Sequence, residues 1–270
     1  MKTNIVITGC SSGIGLETAK YLKERMIKVY PTARKIEDVQ NLKALGFENA
    51  MRLDVTDTKS IKDVINKVLE NDGKIDVWFN NAGYGQLGAI EDLPTDALRE
   101  QFETNVFGLH DATREVLKIM RKQGYGKIIQ HSSILGLVSL PFRGAYVSSK
   151  YALEGLTDTL RLELKDTNIY PILLNTGPIE SKFRKNAIKT LEKIDTKNSN
   201  YIDYYQRALN GTAKKVPFSL PAEAVASVVH KIILTPKPSP RYYITKASYI
   251  LAFAKRLLPT SLLDKLLLKV

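Results

Sequence analysis

The sequence predicts an α/β domain: a doubly wound, parallel sheet of seven strands with helices on both faces. Three observations predict it. Short β-branched runs alternate with amphipathic stretches of helical period along most of the chain, the pattern of parallel strands joined by crossover helices. The first run ends in a glycine-rich loop, GCSSGIG, that opens directly into a helical pattern. And 270 residues suffice for one domain with a three-layer core.

The elements follow in order. Asn4 to Thr8 is the first strand, and the helix after the loop carries Leu16, Ala19, Tyr21 and Leu22. The loop places Gly9, Gly13 and Gly15 as G-x-x-x-G-x-G, a variant of the dinucleotide-binding fingerprint. Glycines let the backbone approach a pyrophosphate, and the helix N-terminus faces the anion. Lys28 to Thr32 is the second strand. NAD-selecting sites carry an acid about 20 residues after the loop; here Ala33, Arg34 and Lys35 stand instead. Arg34 would bind a 2′-phosphate that an acid would repel, so NADP(H) is expected over NAD(H).

Ala50 to Val55 is the third strand, containing Asp54, and 58–71 is a helix. Ile75 to Phe79 is the fourth strand, with Trp78 in the core, and it ends in Asn80-Asn81-Ala82-Gly83. Residues 95–121 read as one long amphipathic helix with Asn105 in its interior. Asn is a weak helix former; it either kinks the helix around a polar site or lies exposed. Lys127-Ile128-Ile129 marks the fifth strand, Tyr146 to Leu164 a helix, and Ile169 to Leu174 the sixth strand. Residues 180–219 lose periodicity and are rich in Lys and Tyr, which suggests a substrate lid. Its Lys182, Arg184, Lys185 and Lys189 read as a solvated face in preference to an anion site. A helix from Ala222 to Leu234 and a short strand, Tyr242 to Thr245, close a domain spanning 1–245.

The chemistry concentrates between Ser133 and Lys150. Tyr146 and Lys150 are four residues apart, one turn apart on one helix face. An ammonium beside a phenol favours the phenolate and lowers its pKa, which would suit Tyr146 to acid/base work. Ser133, after the fifth strand, can face the same crevice.

Composition excludes several classes. Residues 231–270 hold eight Lys/Arg and one acid, Asp264, a balance of +7; the first 230 residues carry only +5. The body therefore offers no broad nucleic-acid face. The single cysteine, Cys10, excludes an internal disulfide and suits a reducing cytosol. MKTNIVIT enters a strand pattern with no signal-peptide pattern, and no apolar run is long enough to span a bilayer. His110, His131 and His230 are scattered, with no metal-ligand spacing.

Together, Thr8-Gly9-x3-Gly13-x-Gly15, Asn80-Asn81-Ala82-Gly83, Ser133 and Tyr146-x3-Lys150 resemble the short-chain dehydrogenase/reductase family over about residues 3–245. The resemblance implies a Rossmann domain in which Tyr146 is the acid/base, Lys150 depresses its pKa and holds the nicotinamide ribose, Ser133 binds the carbonyl oxygen, and Asn105 holds a water linked to Lys150. It implies cofactor contacts from Gly9, Ser11, Ser12, Gly13, Ile14, Gly15, Arg34, Asp54, Val55, Asn81, Ala82, Gly83, Tyr146, Lys150, Gly177, Ile179 and Ser181, with Asp54 and Val55 at the adenine. One departure is clear: the family has Pro-Gly after the sixth strand, and here Thr176 precedes Gly177 and Pro178 follows it. Within the family, the VYPTAR stretch and the basic apolar tail look like the retinol, 17β-hydroxysteroid and acyl-dihydroxyacetone-phosphate reductase group.

The implied activity is NADP(H)-dependent interconversion of a carbonyl and an alcohol on a lipophilic molecule. NAD-dependent oxidation of a secondary alcohol and a non-catalytic, cofactor-binding regulator are the alternatives. A cytoplasmic homodimer is the implied state, since the helices at 95–121 and 146–164 pair across a two-fold axis in relatives. The tail, 246–270, interleaves leucines with Lys255, Arg256, Lys265 and Lys269, and Pro259 is expected to split it into two helices. Two destinations are open for it: the inner membrane surface as an interfacial anchor, or packing on the domain or across a dimer. The charge bias favours the membrane.

Overall fold

The computed structural model describes residues 3–210 and 217–269. Among the described residues nine strands form: β1 (Asn4–Ile7), β2 (Lys28–Ala33), β3 (Met51–Arg52), β4 (Val77–Asn80), β5 (Tyr125–Ser133), β6 (Asn168–Thr176), β7 (Ile179–Glu180), β8 (Leu220–Pro221) and β9 (Arg241–Tyr243). Seven make one sheet of order β3-β2-β1-β4-β5-β6-β9, parallel throughout. The helices of the body are α1 (Gly13–Lys23), α2 (Ile36–Ala44), α3 (Thr58–Asp72), α4 (Thr95–Phe102), α5 (Gly108–Gln123), α6 (Gly144–Glu163), α7 (Phe183–Lys189), α8 (Ile202–Leu209) and α9 (Glu223–Leu234); α10 (Lys246–Leu257) and α11 (Thr260–Leu267) form the tail.

Strand alternation builds the three layers. Ile5, Ile7, Val77, Phe79 and Ile129 pack on one face against Ala19 and Leu22 of α1 and Val225, Val229 and Ile232 of α9. Val6, Trp78 and Ile128 point to the other face, against Ile61, Val64 and Val68 of α3 and Ala112, Val116 and Met120 of α5. Successive side chains on a strand take opposite faces, so an all-apolar run serves a sheet covered on both sides. Strand order reverses at β1, with β2 on one side and β4 on the other. Crevices of this fold open at that point, beyond the strands' C-terminal ends.

The structure departs from the sequence reading in several places. The third strand is only Met51–Arg52: Leu53 still donates to the Ala33 carbonyl (2.9 Å), but the Asp54 N–H already turns to the Ser60 hydroxyl of α3 (3.0 Å). β6 runs on to Thr176, since Asn175 and Thr176 stay in register with Ser132 and Ser133. The single helix expected over 95–121 is broken into α4, a π-helical turn at Glu103–Phe107, and α5. Asn105 sits in that turn and is fully buried, so the kinked alternative holds; π turns of this kind mark functional sites.

The stretch at 180–219 is also more ordered than expected. It forms α7, a 3₁₀ turn (Thr190–Lys193) and α8, and β7 and β8 pair in parallel at its ends. Ala187, Leu191, Ile194 and Tyr205 share a small core with Leu87. The Tyr205 hydroxyl donates to Asp92 (2.7 Å) and accepts from the Ala89 N–H (2.9 Å), pinning α8 to the loop after β4. Residues 211–216, part of the same stretch, lie outside the described residues.

The tail splits at Pro259 as expected. Its inner face packs on the domain: Leu251, Ala252, Leu263 and Leu267 are buried with Ile134, Leu135, Val138 and Val147. Tyr249, Ile250, Phe253, Leu257, Leu262 and Leu268 remain exposed. The amphipathic pattern thus serves the protein on one side and leaves an apolar strip on the other. Among the described residues, no helix is long and apolar enough to cross a membrane.

Candidate active site

A cleft of about 790 Å³ opens beyond β1 and β4, lined by Gly9, Ser11, Ser12, Gly13, Ile14, Arg34, Asp54, Val55, Asn81, Ala82, Gly83, Tyr146, Lys150 and Ser181 among others. Its floor needs small residues. Gly9 has φ +72°, and a Cβ there would sit 2.8 Å from Ala82 Cα. A Cβ on Gly15 would come within 2.5 Å of the Gly9 carbonyl oxygen, so Gly15 lies behind the loop and lets α1 close on it. Ser12 precedes α1 without a side-chain cap, which leaves the first N–H groups of that helix facing the cleft. These donors and the glycine floor fit the diphosphate of a nicotinamide dinucleotide. Arg34 is exposed at the end of β2, and among the described residues no carboxylate lies within ion-pair distance of it.

A hydrogen-bonded chain ties the loop to the other end of the cleft. The Thr8 hydroxyl accepts from the N–H groups of Asn81 (3.0 Å) and Ala82 (2.9 Å). The Asn81 amide donates to the carbonyls of Thr8 (2.9 Å) and Gly9 (3.1 Å), and its oxygen meets His131 Nδ1 at 3.1 Å. His131 Nε2 meets Thr176 Oγ1 at 3.3 Å. Lys150 Nζ donates to the His131 carbonyl at 2.6 Å. Neighbouring Asn80 is structural, accepting from Trp78 Nε1 (2.7 Å) and donating to Thr113 and Gln130 (both 3.0 Å).

Burial governs the protonation of this chain. It lowers Lys150 to about 8, against the opposing charge of Glu154. It lowers His131 to about 3, with the charge of Lys150 adding to the effect. His131 therefore stays neutral in the folded protein from pH 6.5 down to about 3, whereas the unfolded chain takes up its proton. A folded pKa below the unfolded one gives stability that is complete above the unfolded value and lost as pH falls. This group should cost about 1.4 kcal/mol per pH unit in that window. Denaturant unfolding of wild type and His131→Gln across pH 7 to 4 is expected to show a shallower acid loss in the variant; parallel curves would contradict it.

Tyr146 stands at the start of α6, its ring tilted against Phe183 at 5.4 Å. Burial raises its pKa to about 12, while the Ser133 hydroxyl and the charge of Arg143 pull the other way. The lowering expected from Lys150 is not what dominates here. The ammonium is 5.6 Å from the centre of the Tyr146 ring and is engaged by the His131 carbonyl. Ser133 accepts from the Leu135 N–H (3.1 Å) and donates to the Thr176 carbonyl (3.4 Å).

Asn105 lies behind the cleft, outside its lining. Its oxygen accepts from the Tyr84 N–H (3.2 Å); its amide donates to the Tyr84 carbonyl (2.9 Å) and to Ser149 (3.3 Å). It fixes the Gly83-Tyr84 backbone against α6. The π turn that carries it continues into Gly108, where a Cβ would lie 2.5 Å from the Val55 carbonyl oxygen.

A second cavity of about 490 Å³ joins the first at Tyr146. Ser133, Thr176, Gly177, Ile179 and Ser181 reach it. Its walls are mainly apolar: Ile134, Leu135 and Leu140 follow β5, Phe183 and Ala187 come from α7, and Ile250, Leu251 and Leu266 come from the tail. The start of α10 sits close against this end of the sheet: a side chain on Gly177 would meet the oxygen of Thr245, the cap of that helix, at 2.0 Å.

Sequence reasoning missed His131 and Thr176 as a pair, Arg143 in the second cavity, and Glu154. Glu154 is a buried carboxylate that accepts from Ser132, Asn175 (2.7 Å) and Arg241, holding the ends of β5, β6 and β9 together. None of these carries a local motif. The one signal available was Thr176, a departure from Pro-Gly; its hydroxyl lies within hydrogen-bond distance of His131 Nε2 (3.3 Å) and of the Ser132 carbonyl (3.3 Å).

Fold and cleft define a protein that binds a nicotinamide dinucleotide. A family model described as short chain dehydrogenase matches residues 3–192. The chain is 36% identical over 268 residues to the oxidoreductase YbbO of Escherichia coli (strain K12), covering 99% of this chain and 94% of that protein. It is 33% identical over 258 residues to 17-beta-hydroxysteroid dehydrogenase type 1 of Homo sapiens, covering 91% and 78%. Similar solved structures include an actinorhodin polyketide ketoreductase with NADPH (28% identity, TM-score 0.76, 90% and 95% covered). Another is a short chain dehydrogenase/reductase from Burkholderia phymatum with NAD (27%, 0.75, 95% and 92%). The chain belongs to the short-chain dehydrogenase/reductase family. It is an oxidoreductase acting on alcohol and carbonyl groups of small molecules with a nicotinamide cofactor.

Proposed function

We propose that this protein is an NADP(H)-dependent reductase of a ketone or aldehyde on a lipophilic molecule, with Tyr146 as the proton donor. The observation that carries this reading is the junction of the two cavities. Tyr146 and Ser133 stand where the dinucleotide cleft meets an apolar pocket. The bound nicotinamide supplies the hydride. Ser133 and Tyr146 hold the carbonyl oxygen between two hydroxyls, and Tyr146 gives it the proton. A tyrosine raised to about 12 is a neutral phenol at working pH, the form that reduction uses. Lys150 keeps a positive charge at this end of the cleft, and Asn105 acts on it through the packing of α6. The apolar walls support a lipophilic substrate, and the human relative's name carries a hydroxysteroid.

Arg34 supports NADP(H) over NAD(H). Arg34→Ala should weaken NADPH binding about 10- to 150-fold, the range of one charge-assisted hydrogen bond, and leave NADH nearly unchanged. Fluorescence titration with both cofactors, followed by a carbonyl screen, tests cofactor and function together. Equal losses for NADPH and NADH would mean that Arg34 does not read the phosphate.

The same reading extends to the rest of the chain. The 180–219 stretch acts as a lid over the apolar cavity through its described helix α7, which brings Phe183 and Ala187 to the wall. The outer strip of the tail, with Phe253, Leu257 and Leu262 beside Lys255, Arg256 and Lys265, docks on an anionic membrane surface on the cytoplasmic side. Phe107, Tyr151, Leu156 and Leu162 are exposed on the π turn and α6, which supports a homodimer through that face. A one-chain mass by light scattering would remove the dimer.

A further inference from the structure

The apolar cavity carries three cations, Arg143, Arg184 and Lys269, and its described lining includes no carboxylate. Arg143 precedes α6, three residues before Tyr146. Arg184 comes from α7 across the cavity. Lys269 sits at the end of the tail. Among the described residues neither arginine has an ion-pair partner, whereas Arg241 nearby is held by Glu154 and Asp158. Arg184 is exposed at the cavity mouth; partial desolvation of its guanidinium and then the charge of Arg143 make it a weaker base. The backbone commits Arg143 to this place: Phe142 adopts φ +62° and stacks on Tyr204 of α8 at 3.6 Å. A bulky residue in that region is strained, and such strain gathers at ligand clamps.

Arg184 is exposed and Arg143 half-buried, so solvent screens part of their repulsion, and an anion bound between the two guanidinium groups at the cavity wall relieves the remainder. Guanidinium forks match the planar or tetrahedral oxygens of carboxylates and phosphates. We propose that Arg143 and Arg184 form an anion clamp, so that the substrate is an amphiphile. Its acidic head group sits between the arginines, and its apolar chain lies along Leu135, Leu140, Ile250 and Leu266. The inference rests on the reading of Tyr146 as the reducing site. The clamp also joins α6 to α7, so the head group draws the lid onto the substrate.

The test has two readouts. In the first, kcat/KM is measured for a medium-chain oxo-carboxylate, the matching oxo-alkyl phosphate and the methyl ester of the acid. Wild type should favour the anions about 10- to 150-fold, the range of one charge-assisted hydrogen bond, and the larger anionic preference tells carboxylate from phosphate. In Arg143→Gln/Arg184→Gln the preference should fall toward parity; Arg184→Gln alone serves if the double variant does not fold. In the second, calorimetry compares decanoate, decyl phosphate and decanol on the full chain, with no turnover required. The anions should bind wild type at least 10-fold tighter than the variant, and decanol should not distinguish them. An unchanged preference in the variants, or decanoate binding no tighter than decanol, overturns the clamp. Anion binding that follows the arginines while no carbonyl compound is reduced would instead count against the reductase reading and leave the clamp standing.

Discussion

Tyr146→Phe is expected to lower carbonyl turnover by ~10²-fold or more, the contribution of a positioned acid/base group. The ring stays packed on Phe183, and only the proton and its hydroxyl are lost. Cofactor binding should barely change, because the glycine loop, Arg34 and Lys150 are untouched. The loss should fall on kcat and kcat/KM together, as for an interaction made in the transition state. A Phe variant with near-normal turnover would remove Tyr146 from the chemistry.

Ending the chain at residue 246 is expected to cost on the order of 5 kcal/mol. Leu251, Leu263 and Leu267 are nearly fully buried on the domain, and each buried side chain of this size contributes about 1.5–3 kcal/mol. That loss rivals the ~5–15 kcal/mol net stability of a typical domain. It also strips Ile250, Leu251 and Leu266 from the wall of the apolar cavity. Thermal unfolding of the shortened chain should show a large fall; a melting temperature like that of the full chain would mean the tail is no part of the fold. The outer strip is separable from this. Phe253→Glu and Leu257→Glu change exposed positions, where stability shifts stay within about 0.5 kcal/mol. They should release the protein from anionic vesicles that sediment the wild type. Wild type that stays in the supernatant would contradict membrane docking.

The sheet was legible because its signals are local. The run Asn4 to Thr8, its glycine loop and the helix after it lie within about twenty residues, and the central strands β4, β5 and β6 carry similar apolar runs. The break between α4 and α5 was not legible. Glu103 to Phe107 contains no proline or glycine, and the π turn is imposed by Asn105 reaching back to Tyr84. The order of 180–219 escaped for a similar reason. Its core forms against Leu87 and Leu93, about a hundred residues upstream, so periodicity within the segment is weak. Pro259 announced the split of the tail. Where the tail goes depends on Ile134 to Val147, and no pattern within residues 246–270 reveals that surface. Tyr146 and Lys150 stood out as a spaced pair. His131 and Glu154 did not, because their partners come from other strands and helices, and Arg143 did not, because the cavity it lines is closed by α7 and the tail.

The central claim is that Tyr146 donates the proton while the cofactor's hydride goes to a substrate carbon. NADPH carrying deuterium at its transferable position tests this directly, with the alcohol product read by mass spectrometry for wild type and Tyr146→Phe. The account predicts one deuterium on the carbinol carbon with wild type and ~10²-fold less product with the variant. Tight NADPH binding with no deuterated alcohol from any ketone or aldehyde in the screen would contradict it and mark the chain as a cofactor-binding protein without this chemistry.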